Sequence, residues 1–336
     1  MSHRTIVTTV VVLAALAVPL PRSHGVAVTS AVARSSGPSS TPADEAVRCG
    51  IDMRNLLLNV ASGIVLHVRT LDGELVSRAA NSPPIFDDPS SYTLRLKTAD
   101  MTIDAPSLTA LMARVFTGAS PVKDLRVTIA NGEIQQRGRL HKGVDVPFTM
   151  KTSVSTTPDG RLRLHATSLK AVGIPVKGML DLFGVDLDNL MKMPGQRGIQ
   201  VEGDDILLSP AEILPPPATQ GRLKSVRIVG DRLEMEMIGD ARPPGRPATL
   251  PDPAARNYVY FHGGNIRFGK LTMSGADLQL VDADPRDPFD FFPAQYLAQL
   301  VAGYSRTIQR GGLKVMMPDY GDLKTAHGRV PVPTVR

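Results

Sequence analysis

One cysteine, Cys49, occurs in 336 residues, so no disulfide can form within the chain. Tryptophan is absent and aromatic residues make up 4%, which leaves Val, Leu, Ile and Met to fill the interior. Such walls are compliant, methionine especially. The histidines (His67, His141, His165, His262 and His327 beyond the first residues) are scattered, with no pair at metal-ligand spacing. No phosphate-cradling glycine loop occurs. Asp282, Asp284, Asp287 and Asp290 form an acidic cluster, but prolines intervene and the glycine and terminal glutamate of a calcium loop are missing. Asx-turns and helix caps account for these aspartates more simply. Phe261-His262-Gly263-Gly264-Asn265 is superficially like a lipase oxyanion loop. Its partner motif fails, because Gly303-Tyr304-Ser305-Arg306-Thr307 lacks the second glycine of a nucleophile elbow, so Gly263-Gly264 reads as a hairpin turn. The residues therefore argue against an enzyme and call for no cofactor and no metal.

What is present begins with a leader. Arg4 precedes an apolar run from Ile6 to Leu20, closed by Pro19 and Pro21, with small residues at Ala31-Val32-Ala33. This is a secretory pattern, and residues 1–33 are expected to be removed. An uncleaved anchor in the inner membrane is the competing reading. Residues 34–49 are rich in Ser, Pro, Ala and Gly and read as a flexible leader. The expected location is thus the periplasm or the medium. Losing Arg4 and Arg22, and no acid, takes the formal charge from +6 to +4. That excess is spread along alternating faces rather than gathered into a stripe, which argues against nucleic acid as a partner but permits weak attraction to anionic lipid headgroups and transient contact with a membrane surface. Cys49 follows Arg48 where a lipoprotein acceptor needs a small residue, so it reads as a buried or idle thiol.

The most organised stretch runs from Val122 to Met193. Leu125, Val127 and Ile129 alternate with Arg126 and Thr128 before Asn131-Gly132. Val144, Val146, Phe148, Met150 and Val154 share a face opposite Asp145, Thr149, Lys151 and Ser153. Asp159-Gly160 then turns the chain into Arg161–Ser168. Period-two patterning between Asn-Gly and Asp-Gly steps predicts antiparallel hairpins with one apolar face. Upstream, Ile64, Leu66 and Val68 alternate, Asp72-Gly73 reads as a reversal, and Tyr92–Lys97 is a further strand. Asp104 with Pro106 opens a short helix whose Leu108, Leu111, Met112, Val115 and Phe116 share a stripe. Val176, Met179, Leu180, Phe183, Leu187, Leu190 and Met191 recur at helical spacing between Pro175 and Pro194. Gly178 and Gly184 predict a bent helix there. Ile199–Ser209 and Leu223–Ile238 return to strands. Residues 241–256 read as a proline-rich linker or loop, 257–317 as further strands and a helix extending the same sheet, and 318–336 as a tail. In that helix Tyr296, Leu297, Leu300 and Val301 share a face.

The fold class expected over 50–240 is α+β: a strongly bent antiparallel sheet wrapping amphipathic helices. A continuous apolar face opposed by apolar helices, without reactive groups, suggests containment of an apolar ligand. From Leu125-Arg126-Val127-Thr128-Ile129, through Val146-Pro147-Phe148-Thr149 and Asp159-Gly160-Arg161-Leu162, to Gly173-Ile174-Pro175-Val176, the chain resembles the LmeA family of exported bacterial phospholipid-binding proteins. The resemblance covers about residues 100–240. It implies a fold akin to tubular lipid-binding domains, with acyl chains held between sheet and helix and phospholipid or another fatty-acyl lipid as the ligand. On that reading Val144, Val146, Phe148, Met150, Val154, Leu162 and Leu164 form one wall. Leu111, Met112, Val115, Phe116, Met179, Leu180 and Phe183 form the other. An envelope scaffold or adaptor with a solid core is the alternative, and a lipid hydrolase the third.

Overall fold

A computed structural model describes residues 47–115, 122–142, 144–172, 198–307 and 312–324. Two long strands come first, β1 (Arg48–Ala61) and β2 (Ile64–Ser77), joined at Ser62-Gly63 and followed by β3 (Tyr92–Asp104). Helix α1 (Ala105–Val115) starts where Asp104 accepts a hydrogen bond from the Ser107 N–H at 2.8 Å, the cap its sequence predicts. Four strands in a meander follow: β4 (Val122–Ala130), β5 (Glu133–Lys142), β6 (Val144–Thr156) and β7 (Leu162–Ala171). Asn131 and Gly132 both take positive φ, 54° and 74°, as the turn between β4 and β5 requires.

After β8 (Ile199–Glu202), β9 (Asp205–Leu208) and the single turn α2 (Pro210–Ile213) come β10 (Ala218–Gln220), β11 (Arg222–Val229) and β12 (Arg232–Ile238). A strap without regular structure spans 241–256. The rest comprises β13 (Tyr258–His262), β14 (Asn265–Phe268), β15 (Leu271–Ser274), β16 (Asp277–Asp282), β17 (Phe289–Phe291), α3 (Tyr296–Ala302), β18 (Tyr304–Thr307) and β19 (Leu313–Met317).

The architecture is mixed α+β, dominated by strands, and includes a strongly curled antiparallel half-barrel sheet. Strands β4 to β9 form one six-stranded sheet; an eleven-stranded sheet has the order β11-β12-β3-β2-β1-β13-β16-β19-β18, with β10 on β3 and β17 on β1. The stretch 50–240 thus contributes to two sheets rather than one. Strands β13 and β16 dock beside β1, Gly50 facing His262, so the last third of the chain completes the sheet that the first strand begins.

Several expectations change. Asp72-Gly73 is not a reversal: β2 runs through it, and the register against β3 slips there. Gly73 is needed for space, because a Cβ on it would lie 2.5 Å from the Arg95 carbonyl oxygen. Strand β1 begins at Arg48, inside the stretch read as leader, and Cys49 is fully buried. Residues 318–324 are docked rather than loose, with Asp319 accepting the Asp290 N–H at 2.7 Å and Tyr320 edge-on to Phe292. In α3, Tyr296 and Gln299 turn inward while Leu297 and Val301 are exposed. Gln299 is held there by backbone partners, accepting from Phe292 and donating to Asp290 and Pro318. The helix expected at 175–194 lies outside the described residues.

Candidate functional site

The main core lies on the inner face of β1–β3. Ile51, Met53 and Leu58 from β1, Leu66, Val68, Leu71 and Leu75 from β2, and Leu94, Leu96 and Met101 from β3 point to the same side. Phe86 on the β2–β3 loop closes one end, edge-on to Phe261 at 5.3 Å and packed near Phe291. Leu214-Pro215-Pro216-Pro217, between α2 and β10, and Pro293-Ala294, before α3, form the rims. These surfaces leave a groove of about 140 Å³. Its polar side chains are few: Asn59, which donates to Asp290 at 2.6 Å, Thr219, and the Tyr92 hydroxyl, whose ionisation burial opposes. A second void of about 30 Å³ shares Leu66, Met101, Leu214 and Met237 with the groove and reaches Leu108 and Leu111 of α1 and Leu162 of β7. Four apolar side chains thus line both spaces.

The residues expected to face a lipid divide into groups. Leu111 and Leu162 line the small void. Leu164, Met112 and Val115 are buried in the main core, with Val154 packed against it from partial exposure. Phe148 and Met150 join Val122 and Leu140 in a separate closed cluster, and Val146 is buried on the same face. Val144, expected in the wall, stands 68% exposed as the first residue of β6, two places before the buried Val146 of the same face. Phe116, Met179, Leu180 and Phe183 lie outside the described residues. The larger groove is therefore walled by β1–β3, which the alternation at Ile64–Val68 and Tyr92–Lys97 signals as apolar strands without marking them as a site.

On the opposite face of β1 and β13 lies a buried polar row covered by the strap. Arg246 of the strap is 2.8 Å from Asp52 and sits over the Tyr260 ring, which stacks on His262. His262 is 2% exposed, its nearest carboxylate oxygen is on Asp52 at 3.9 Å, and neither ring nitrogen completes a hydrogen bond. Burial lowers the His262 pKa and raises that of Asp52, the latter against the pull of Arg246 and His262. Glu74, fully buried, is bracketed by Arg95 at 3.3 Å and Arg48 at 3.6 Å. Asp252 holds the other end of the strap, accepting from Lys314 at 2.8 Å and bonding through its backbone to Gln279. This chemistry fastens the strap to the sheet.

Gly263 and Gly264 form a turn with φ of 56° and 59°, and Ser305 is an exposed residue of the strand β18 rather than the tip of an elbow. His141 and His165 pair on the surface with Asp145 and Asp205, each at 2.7 Å. Asp282 accepts from Asn257 and the Asp284 N–H in the expected Asx geometry. Burial pushes Asp282 up to about 6 and Asp319 up to about 7. Among the described residues, no three His, Cys, Asp or Glu side chains group to hold a metal, and no helix is long and apolar enough to cross a membrane. Comparison with known proteins finds no matching family model, no matching curated protein and no matching solved structure.

Proposed function

We propose that this protein binds the acyl part of a lipid in the groove on β1–β3, without transforming it. The observation that carries the reading is a space of about 140 Å³ left inside walls that are almost wholly aliphatic and aromatic. A dry apolar cavity of about 150 Å³ is known to take up a molecule the size of benzene. In this conformation the groove suits the end of one chain, and a longer chain requires Met101, Met237 and the Leu214–Pro217 rim to give way. Methionine side chains yield at low cost. Each methylene removed from water contributes about 0.8 kcal/mol, so affinity grows with chain length while discrimination between neighbouring lengths stays low. The expected leader would place this binding in the cell envelope, and phospholipid is the ligand class that the resemblance to exported lipid-binding proteins favours.

One observation favours the alternative of a scaffold with a solid core: Phe148 and Met150 of β6 are already closed in a packed cluster. Solvent extraction of the purified protein, followed by lipid mass spectrometry, separates the two. Binding predicts stoichiometric acyl lipid, and Leu94→Trp, which fills the groove from its partly exposed side, should abolish it while the melting temperature holds. Lipid-free protein that also fails to take up a fluorescent fatty acid would leave the scaffold reading.

A further inference from the structure

The wet face of the β4–β7 sheet carries a charge arrangement that costs the free protein stability. Arg126 of β4 lies directly opposite Arg137 of β5; the same transverse row continues through Thr149 of β6 to Lys170 of β7. Like charges directly opposed across a strand pair destabilise a sheet. The carboxylates of this face are occupied elsewhere: Asp124 with Arg139 at 2.9 Å, Asp145 with His141 at 2.7 Å, and Glu133 with Lys151 at 3.6 Å. Among the described residues, Arg126, Arg137 and Lys170 have no such partner, and all three are exposed. With strands about 4.8 Å apart, the three cations span roughly 15 Å across the sheet.

Beside this row stands an exposed apolar side chain. Val172, 72% exposed, follows β7 and donates its N–H to the Pro147 carbonyl at 3.1 Å, and Pro147 is the cross-strand neighbour of Arg139. Cations flanked by a protruding aliphatic side chain match the boundary between lipid headgroups and acyl chains. A soluble polyanion would use the cations and leave Val172 in water. We propose that this face docks on an anionic lipid bilayer, with Arg126, Arg137 and Lys170 against headgroups and Val172 at the rim of contact. The surface stands apart from the groove, so it holds or fails independently of what the groove binds.

The test is flotation of the full chain with phosphatidylcholine vesicles and with mixed phosphatidylcholine–phosphatidylglycerol vesicles. Binding should need the anionic lipid and weaken as salt rises. Arg126→Gln, Arg137→Gln and Lys170→Gln together should lower the partition coefficient about a hundredfold, since each cation near such a surface contributes roughly fivefold. Val172→Asp should weaken binding further at fixed salt. Arg126→Glu supplies an internal control, because it creates an ion pair with Arg137: its melting temperature should equal or exceed the parent's while its vesicle binding falls. No binding to either vesicle, equal binding to both, or a triple variant that binds like the parent would each overturn the proposal. Retention on heparin with no vesicle binding would overturn it in favour of a soluble polyanionic partner.

Discussion

The imidazole of His262 occupies the place where a side chain at position 50 would begin: a Cβ on Gly50 would lie 2.3 Å from the ring. The two residues face each other across β1 and β13, and the ring fills the hollow the glycine leaves.

Gly50→Ala should therefore displace the ring and loosen the junction between the first strand and the last third of the chain. The expected cost is about 1–3 kcal/mol, the range for overpacking a closed site. Urea denaturation of Gly50→Ala, His262→Ala and the double variant checks it. If the clash is the cause, the double variant is less destabilised than the sum of the two single ones.

Met150 is 1% exposed in the cluster with Val122, Leu140 and Phe148. If β6 lined a lipid slot, Met150→Trp would displace ligand and spare the fold; the packing seen predicts the reverse. The variant should lose about 1–3 kcal/mol and keep its lipid content, read by thermal denaturation beside lipid analysis.

Asp319 and Asp282 give the protein a pH dependence of unusual sign. Burial raises both carboxyls in the folded state, to about 7 and about 6, while the unfolded chain ionises near 3.9. The folded protein binds more protons between those limits, so stability falls as pH rises from about 4 to about 7. One pKa unit corresponds to about 1.4 kcal/mol before solvent screening reduces it, and the screening is greater at half-buried Asp319 than at buried Asp282. Asp319→Asn keeps the acceptor for the Asp290 N–H and should flatten the decline, as denaturation midpoints at pH 5 and pH 8 would reveal.

Cys49 should be inert until the protein unfolds. It is fully buried and burial pushes its thiol up to about 12, so little thiolate exists at neutral pH and reagents cannot reach it. Alkylation at pH 8 should be negligible in native protein and complete in urea. Rapid native labelling would show that β1 opens.

Local signals in the sequence are accurate where the interaction that decides the structure is itself local. Asp104 caps α1 and Asn131-Gly132 makes its turn because both effects are settled within a few residues. Asp72-Gly73 has the same turn chemistry, yet β2 runs straight through it. The glycine answers to the Arg95 carbonyl on the neighbouring strand, which no local pattern reveals. The candidate site is hidden for a related reason. Leu66, Val68, Leu94 and Leu96 look like any strand interior, and only the rim from Leu214 to Pro217 and the approach of Phe86 and Phe291 leave a gap between them. Likewise His262 and Asp52 carry no shared motif, being brought close by pairing across some two hundred residues of chain.

That pairing also orders events in time. Strand β1 is among the first parts of the domain to be synthesised, yet one of its flanks stays bare until Tyr258–His262 exists to cover it. An open strand edge is a template for association with other chains, and late, distant contacts slow folding. Truncation before Tyr258 would therefore do more than delete a terminal segment: it would leave the nascent domain permanently adhesive along its oldest strand.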